Sequence, residues 1–180
     1  ALLTELDPVR RRFVLARALE LTRGPAVNAA YVPAEGARAL FAAAVALVLP
    51  DGGAEFALAS GADPDRVAFW AEFFLAHLTE KQLDTVVQFA GPVVVTGAKA
   101  FAAWAEGTLN TARRVALVMT GDLAAALNLL RDEDPALADR RVTGPKALRA
   151  LLERAPALAD LYDYAFSGRY HALLRALDIA

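Results

Sequence analysis

The segment PKALRALLERAPALADLYDYAFSGRYHALLRAL, residues 145–177, decides the fold class of this 180-residue chain. Its apolar residues recur at spacings of three and four, which places them on one face of a helix, whereas a strand would alternate with a period of two. Prolines and one serine at the starts of these stripes divide the segment into three short helices. The stripes are Leu148, Leu151, Leu152 and Ala155; Leu158, Leu161, Tyr162 and Ala165; and Tyr170, Leu173, Leu174 and Leu177.

Similar helix-start signals occur in the part of the chain that precedes this segment. Asp-Pro pairs stand at residues 7–8, 63–64 and 134–135, and each predicts a helix start, because the aspartate caps free N–H groups and proline fits the first helical position. Thr79 with Gln82 forms a capping-box pattern. These signals, with others at Val32-Pro33 and Ser167, predict an all-α fold: a compact array of about nine helices in one helical domain over residues 1–180.

Two strongly apolar segments are predicted to be core helices. Residues 39–50 (ALFAAAVALVLP) fall short of the roughly 20 residues that a membrane-spanning helix needs. Residues 66–78 (RVAFWAEFFLAHL) are apolar nearly all round, which is typical of a central helix packed on several sides. Residues 51–62 are predicted to be a loop, and the Gly91-Pro92 pair predicts a break before an extended linker or a kinked helix start at residues 93–96.

Composition excludes several classes of function. The chain is 57% hydrophobic, but much of that fraction is alanine, which favours helices more than membranes. It has no cysteine, which removes disulfides, thiol nucleophiles and thiolate metal sites. Its net charge of −2 gives no general attraction for phosphate backbones. We therefore expect no nucleic acid partner, no membrane span and a cytoplasmic location.

Catalytic constellations are scarce. The chain has two histidines, His77 and His171, far apart and without the His-Glu-x-x-His spacing of a zinc site. Ser60 lacks the strand-turn-helix elbow of a serine hydrolase. Ser167 is close to His171 on one helical turn, but serine at a helix start is typical of a cap. We predict no catalytic residue, no metal and no cofactor.

The most informative polar group lies in an otherwise apolar segment from Phe101 to Met119. Helical spacing places its members on one side of a helix. They are Glu106, Asn110, Arg113 and Arg114. The group is interpreted either as the exposed face of an amphipathic helix or as a buried or interfacial polar stripe that docks another chain.

The same region resembles a known family. Residues 109–117 (LNTARRVAL), residues 120–123 (TGDL) and Leu127 resemble a pattern in the helical C-terminal regions of large bacterial tetratricopeptide-repeat proteins. That pattern is similar to the third-ligand helix of a family of zinc metallopeptidases. The chain's end, from Phe166 to Ile179, also resembles the close of those regions. Leu109 and Arg113 stand where the metallopeptidase pattern has acids, so the resemblance implies a helix that has lost its zinc chemistry.

Three hypotheses about function follow. The first is a non-enzymatic helical protein-interaction or structural domain, forming the C-terminal part of a longer bacterial protein, with a protein or the rest of that chain as partner. The second is a small-molecule or lipid-binding domain with a pocket lined by residues 39–49 and 66–78. The third is an enzyme with an unfamiliar polar site around Glu106, Arg113 and Asp122, or an inactive metallopeptidase remnant. The oligomeric state is left open.

Overall fold

The computed structural model describes residues 5–24, 26–27, 32, 34–49, 53–96, 99–138 and 142–179, and for residues 91–102 it describes the backbone alone. These residues form ten helices that make the structure 82% helical, without a strand among them. The all-α prediction of about nine helices is confirmed. The helices are α1 (Pro8–Leu21), α2 (Ala34–Val48), α3 (Gly53–Ser60), α4 (Pro64–His77), α5 (Glu80–Thr96), α6 (Lys99–Thr120), α7 (Leu123–Glu133), α8 (Pro145–Arg154), α9 (Pro156–Ala165) and α10 (Gly168–Ala176).

Four of the ten described helices begin at a side-chain cap that the sequence predicts. Asp7 accepts hydrogen bonds from the N–H groups of Val9 and Arg10 at 3.0 Å, and Asp63 caps α4 in the same way through Asp65. The Thr79 and Gln82 box closes at the start of α5. The helix start predicted at Asp134-Pro135 is a turn in the structure: residues 135–138 form the turn, and the Asp134 side chain accepts a hydrogen bond from the N–H of Ala136.

The chain divides into two compact units, one formed by Ala1–Arg23 with Leu109–Ala180 and the other by Gly24–Thr108. We call them the first and second unit. The division falls within α6, whose residues from Leu109 onward belong to the first unit. Each unit has its own apolar core. The single-domain expectation for residues 1–180 stays a prediction.

The first unit is built on the apolar stripes of the C-terminal helices. Phe13 of α1, Leu117 of α6 and Leu161 of α9 are fully buried at its centre. Arg17 on α1 holds Glu133 on α7 with two hydrogen bonds of 2.7 and 2.5 Å, and its guanidinium lies 5.8 Å from the Phe13 ring centroid. This bidentate ion pair connects α1 to α7 at the edge of the core.

The second unit packs around alanine. Ala39, Ala42 and Ala43 on α2 are completely buried, which confirms the prediction of a core helix in this segment. Helices α3, α4 and α5 all contact α2, since the small side chains allow close approach. One close approach is at Gly53, where a Cβ atom would lie 2.7 Å from the Cα atom of Ala46.

Helix α4 is not the central helix that its composition predicts. Only Val67 is buried on it, while Phe69 is 59% and Leu75 is 63% exposed. The prediction was wrong because, in the described residues of the second unit, α4 packs mainly on the alanine face of α2, with a smaller contact to α3, and its other faces stay exposed. A helix that is apolar on every face is fully buried only if other elements pack against every face. In the described part of the second unit, such elements do not surround α4.

Two local predictions also differ from the structure. The segment at residues 51–62, predicted to be a loop, contains the two-turn helix α3, which Gly61 ends in a left-handed conformation with φ of +70°. Helix α5 runs through the Gly91-Pro92 pair to Thr96, so the predicted break and extended linker are absent there. Proline removes one hydrogen bond from a helix without forbidding its continuation, because a local preference yields to the surrounding structure.

Candidate functional site

The predicted polar stripe is used inside the first unit. Asn110 is buried, with 8% of its surface exposed, and its Oδ1 atom accepts a hydrogen bond of 2.6 Å from Nη1 of Arg113. A buried amide needs such a partner, because an unpaired one loses its bonds to water without compensation. These two stripe residues therefore stabilise the inner face of α6.

Arg114 connects α6 to α9. Its guanidinium donates two parallel hydrogen bonds to the carboxylate of Asp160, and the bond from Nε to Oδ2 measures 3.0 Å. Its Cζ atom lies 5.2 Å from the ring centroid of Tyr164. Bidentate pairing and stacking on an aromatic ring are the contacts in which arginine differs from lysine. Arg114 thus has a defined place between two helices.

Glu106, the fourth member of the stripe, is exposed and belongs to the second unit. The structure therefore joins Asn110 to Arg113 and joins Arg114 to Asp160. The role of the four residues in binding a partner stays a prediction.

An open groove borders this pair, and sequence reasoning missed it. It has a volume of about 1220 Å³ and lies between the C-terminal part of α6, helix α9 and helix α10. The α6 wall is one helical ridge, because its residues follow the spacing i, i+3, i+4, i+7, i+8. They are Thr111, Arg114, Val115, Val118 and Met119.

A further wall is formed by α10 and its C-cap Leu177, and it is apolar along one edge. Leu173 and Leu177 line the groove and are 39% and 50% exposed, and Met119 on the α6 ridge is 52% exposed. The sequence predicts Leu173 and Leu177 as part of a buried stripe with Tyr170. In the structure Tyr170 packs into the core while the two leucines form a separate i, i+4 ridge.

Two unlike charges stand at the groove without an intramolecular ion pair. Arg169 on α10 and Asp163 on α9 both line it and are both exposed. Neither forms a salt bridge with any residue in the described ranges, whereas Arg114 and Asp160 neutralise each other. The groove therefore offers one cation and one anion beside an apolar ridge.

Ser167, at the end of the groove, is a helix cap as the sequence predicts. Its Oγ atom accepts a 3.2 Å bond from the N–H of Tyr170 and donates a 2.7 Å bond to the carbonyl oxygen of Tyr164. The ring of His171 packs edge-on against Tyr170, with 5.5 Å between the centroids. Serine and histidine are thus both accounted for by local structure.

Burial raises the pKa of the Tyr170 phenol above its ordinary value of about 10, and the neighbouring Tyr164 raises it further. The phenol is therefore neutral over the whole physiological range. It serves as a packing group beneath the groove, where its ring meets that of Tyr164 edge-on at 5.5 Å.

The other residues singled out for chemistry also have structural contacts. Asp122 accepts a 2.8 Å hydrogen bond from the N–H of Ala125 and so caps α7. His77 stacks on Phe73 with 4.2 Å between ring centroids. Within the described ranges, no three His, Cys, Asp or Glu side chains lie close enough together to hold a metal ion. The expectation that the chain binds no metal stays a prediction.

Comparisons of the chain with protein-family models, with curated proteins and with solved structures find no match. The resemblance to tetratricopeptide-repeat proteins and to a metallopeptidase helix therefore stays a prediction. None of the described helices combines the length and the apolar character needed to cross a lipid bilayer.

Proposed function

We propose that this chain is a non-enzymatic protein-interaction module and that the groove between α6, α9 and α10 is its docking surface. The observation that carries the proposal is the exposed apolar ridge of Met119, Leu173 and Leu177 inside a concave surface with charged residues beside it. Large apolar side chains left exposed together in a groove mark binding surfaces more often than isolated ones do.

The composition of the groove fits a protein segment. Interfaces combine an apolar centre, enriched in methionine and aromatic residues, with a polar rim. Met119 suits this role because its unbranched side chain adapts to the shape of a partner. Helical ridges on two sides form the kind of groove into which a further helix packs with its apolar face.

The alternative pocket between residues 39–49 and 66–78 finds less support. The helices of those segments, α2 and α4, pack directly on each other, and Ala39, Ala42 and Val67 fill the contact. A small-molecule or lipid-binding role would need space between these helices. We therefore place the interaction surface on the first unit.

The larger protein to which this module belongs, and its location in the cell, are proposed from the sequence resemblance alone. We infer that the chain forms the C-terminal part of a longer bacterial protein with tetratricopeptide repeats and acts in the cytoplasm. The absence of catalytic activity is part of the same proposal, since Ser167, Asp122 and Arg113 each take part in local hydrogen bonding.

Site-specific photo-crosslinking tests the docking surface. A photoreactive phenylalanine replaces Leu173 in the groove or, as a matched control, Leu19 on α1, which is 69% exposed in the same unit and lies outside the groove. The cells that produce the protein are irradiated. We expect discrete protein adducts from the groove position alone, and their loss when Leu177→Glu is added. Identical adducts from both positions would contradict the proposal.

A further inference from the structure

We propose that the occupant of the groove is the same groove face of a second copy of this chain, related to the first by a twofold axis. This inference rests on the proposed function, because it names the partner for the docking surface described above. It is carried by the charges of the groove together with its exposed apolar ridge.

The charge pattern argues against a strongly acidic or basic partner. Arg114 and Asp160 neutralise each other within the chain, which leaves Arg169 and Asp163 as one exposed cation and one exposed anion. Their charges sum to zero. A surface that carries one charge of each sign has no net attraction for an ion-rich partner, but it can complement itself.

In a twofold-symmetric dimer, this pair of opposite charges forms contacts at two places. In an interface between identical surfaces, any contact of one residue with another is repeated with the roles exchanged. Arg169 of each copy can therefore pair with Asp163 of the other, which gives two reciprocal ion pairs from one motif. Asp163 on α9 and Arg169 on α10 both line the groove, so both charges lie on the face that a second copy would cover.

The apolar ridge supplies the attraction and the ion pairs set the register. Met119, Leu173 and Leu177 are each between 39% and 52% exposed, so each has surface that a second copy can cover. Burial of apolar surface drives most protein association, while ion pairs at the rim select the orientation. The ridge therefore supplies surface for any partner to cover, and the charge pattern identifies that partner as a second copy.

Sedimentation of the purified chain, with reciprocal charge swaps, tests the proposal. We expect the wild type to shift from the 19.1 kDa monomer to twice that mass as its concentration rises. Arg169→Glu and Asp163→Arg should each weaken association by about tenfold, because each sets like charges against each other at two places. The double variant, which restores opposite charges, should associate within about threefold of the wild type.

Arg175→Glu is the matched control, since Arg175 is exposed on the same helix but does not line the groove. It should leave association unchanged within about twofold. Circular dichroism of every variant checks that the fold is intact, and recovery in the double variant excludes misfolding as the cause of the single effects. Leu177→Glu, which places a charge on the apolar ridge, should abolish the dimer.

Three outcomes would overturn the inference. They are a chain that stays monomeric at every concentration, a dimer that neither single charge change weakens, and a double variant no better than the singles. A monomeric chain that nevertheless gives groove-specific crosslinks to a different protein would refute the second copy and retain the docking surface. A monomer without such crosslinks would refute both.

Discussion

Arg114 is the residue at which the predicted polar stripe and the observed groove overlap. The sequence places Arg114 on a polar face of α6. The structure adds two contacts that residue spacing cannot predict: bidentate hydrogen bonding to Asp160 and stacking over the ring of Tyr164. Both partners lie 46 to 50 residues further along the chain. A pair so distant in sequence forms only after the helices have docked, so its strength reports on the tertiary structure.

The Asp160→Ala substitution should lower the free energy of unfolding by about 1 kcal/mol, because it leaves the guanidinium of Arg114 without its charged acceptor. The side chains of this pair are 40% and 20% exposed. Urea denaturation with linear extrapolation measures the change.

Glu153→Ala is the control for that measurement. Glu153 pairs with Arg149 on the surface, where the two side chains are 63% and 84% exposed, and such pairs contribute little. Its removal should cost less than about 0.5 kcal/mol. Equal losses from the two substitutions would show that the Arg114 contact has no special value for the fold.

At the scale of the helix, backbone spacing decides how closely two elements approach. Helix α3 begins at Gly53 directly against Ala46 of α2, where a Cβ atom would lie 2.7 Å from backbone and side chain alike. Atoms do not approach that closely, so a larger residue must push one helix away from the other. The position therefore requires glycine because of the space available.

Gly53→Ala should destabilise the chain by about 2 kcal/mol, the cost of forcing an extra carbon into a packed contact. Gly107→Ala is the matched control, because Gly107 lies within α6 with open space where its Cβ would be. There alanine should stabilise by about 0.5–1 kcal/mol through its higher helix propensity. Thermal unfolding should show opposite shifts, and shifts of the same sign and size would contradict the proposed close contact.

The positions of the helices were predictable from the sequence, whereas the face of each helix that becomes buried was less predictable. Helix starts at Asp7, Asp63 and Thr79 depend on residues within four positions, and all three were predicted correctly. The exposure of Phe69 on α4 and of Leu173 on α10 depends on which helices lie alongside, and that information is spread over the whole chain. Apolar spacing identifies a possible buried face without identifying the neighbour that buries it.

The groove was beyond sequence reasoning for the same reason. Its walls come from α6 and α10, more than 40 residues apart, and its cation and anion are ordinary surface residues when read along the chain. One signal was present: the stripe on α10 places three large apolar residues on a nine-residue helix and a fourth, Leu177, at its C-cap, more than one core contact needs. A surplus of that kind indicates a second contact surface.

At the scale of the whole molecule, the chain has two compact units with separate cores, one rich in leucine and one in alanine. The first unit holds the groove, the bidentate Arg114 pair and the cap at Ser167. We therefore propose that docking takes place on the first unit and that another protein chain covers the groove in the cell.

Oxidation of Met119 tests that claim most directly, because it is the single methionine of the chain and lies in the groove with 52% of its surface exposed. Wild type and the Leu177→Glu variant, one of them isotope-labelled, are treated with peroxide together in a lysate of the cells that produce the protein. Mass spectrometry then follows the formation of methionine sulfoxide in each. Dilute mixtures of the purified chains provide the reference rates.

We expect the two chains to oxidise at equal rates when they are pure and dilute. In the lysate, Met119 of the wild type should oxidise several-fold more slowly than Met119 of the variant. Equal rates in the lysate would mean that nothing covers the groove, and the proposed docking surface would be wrong.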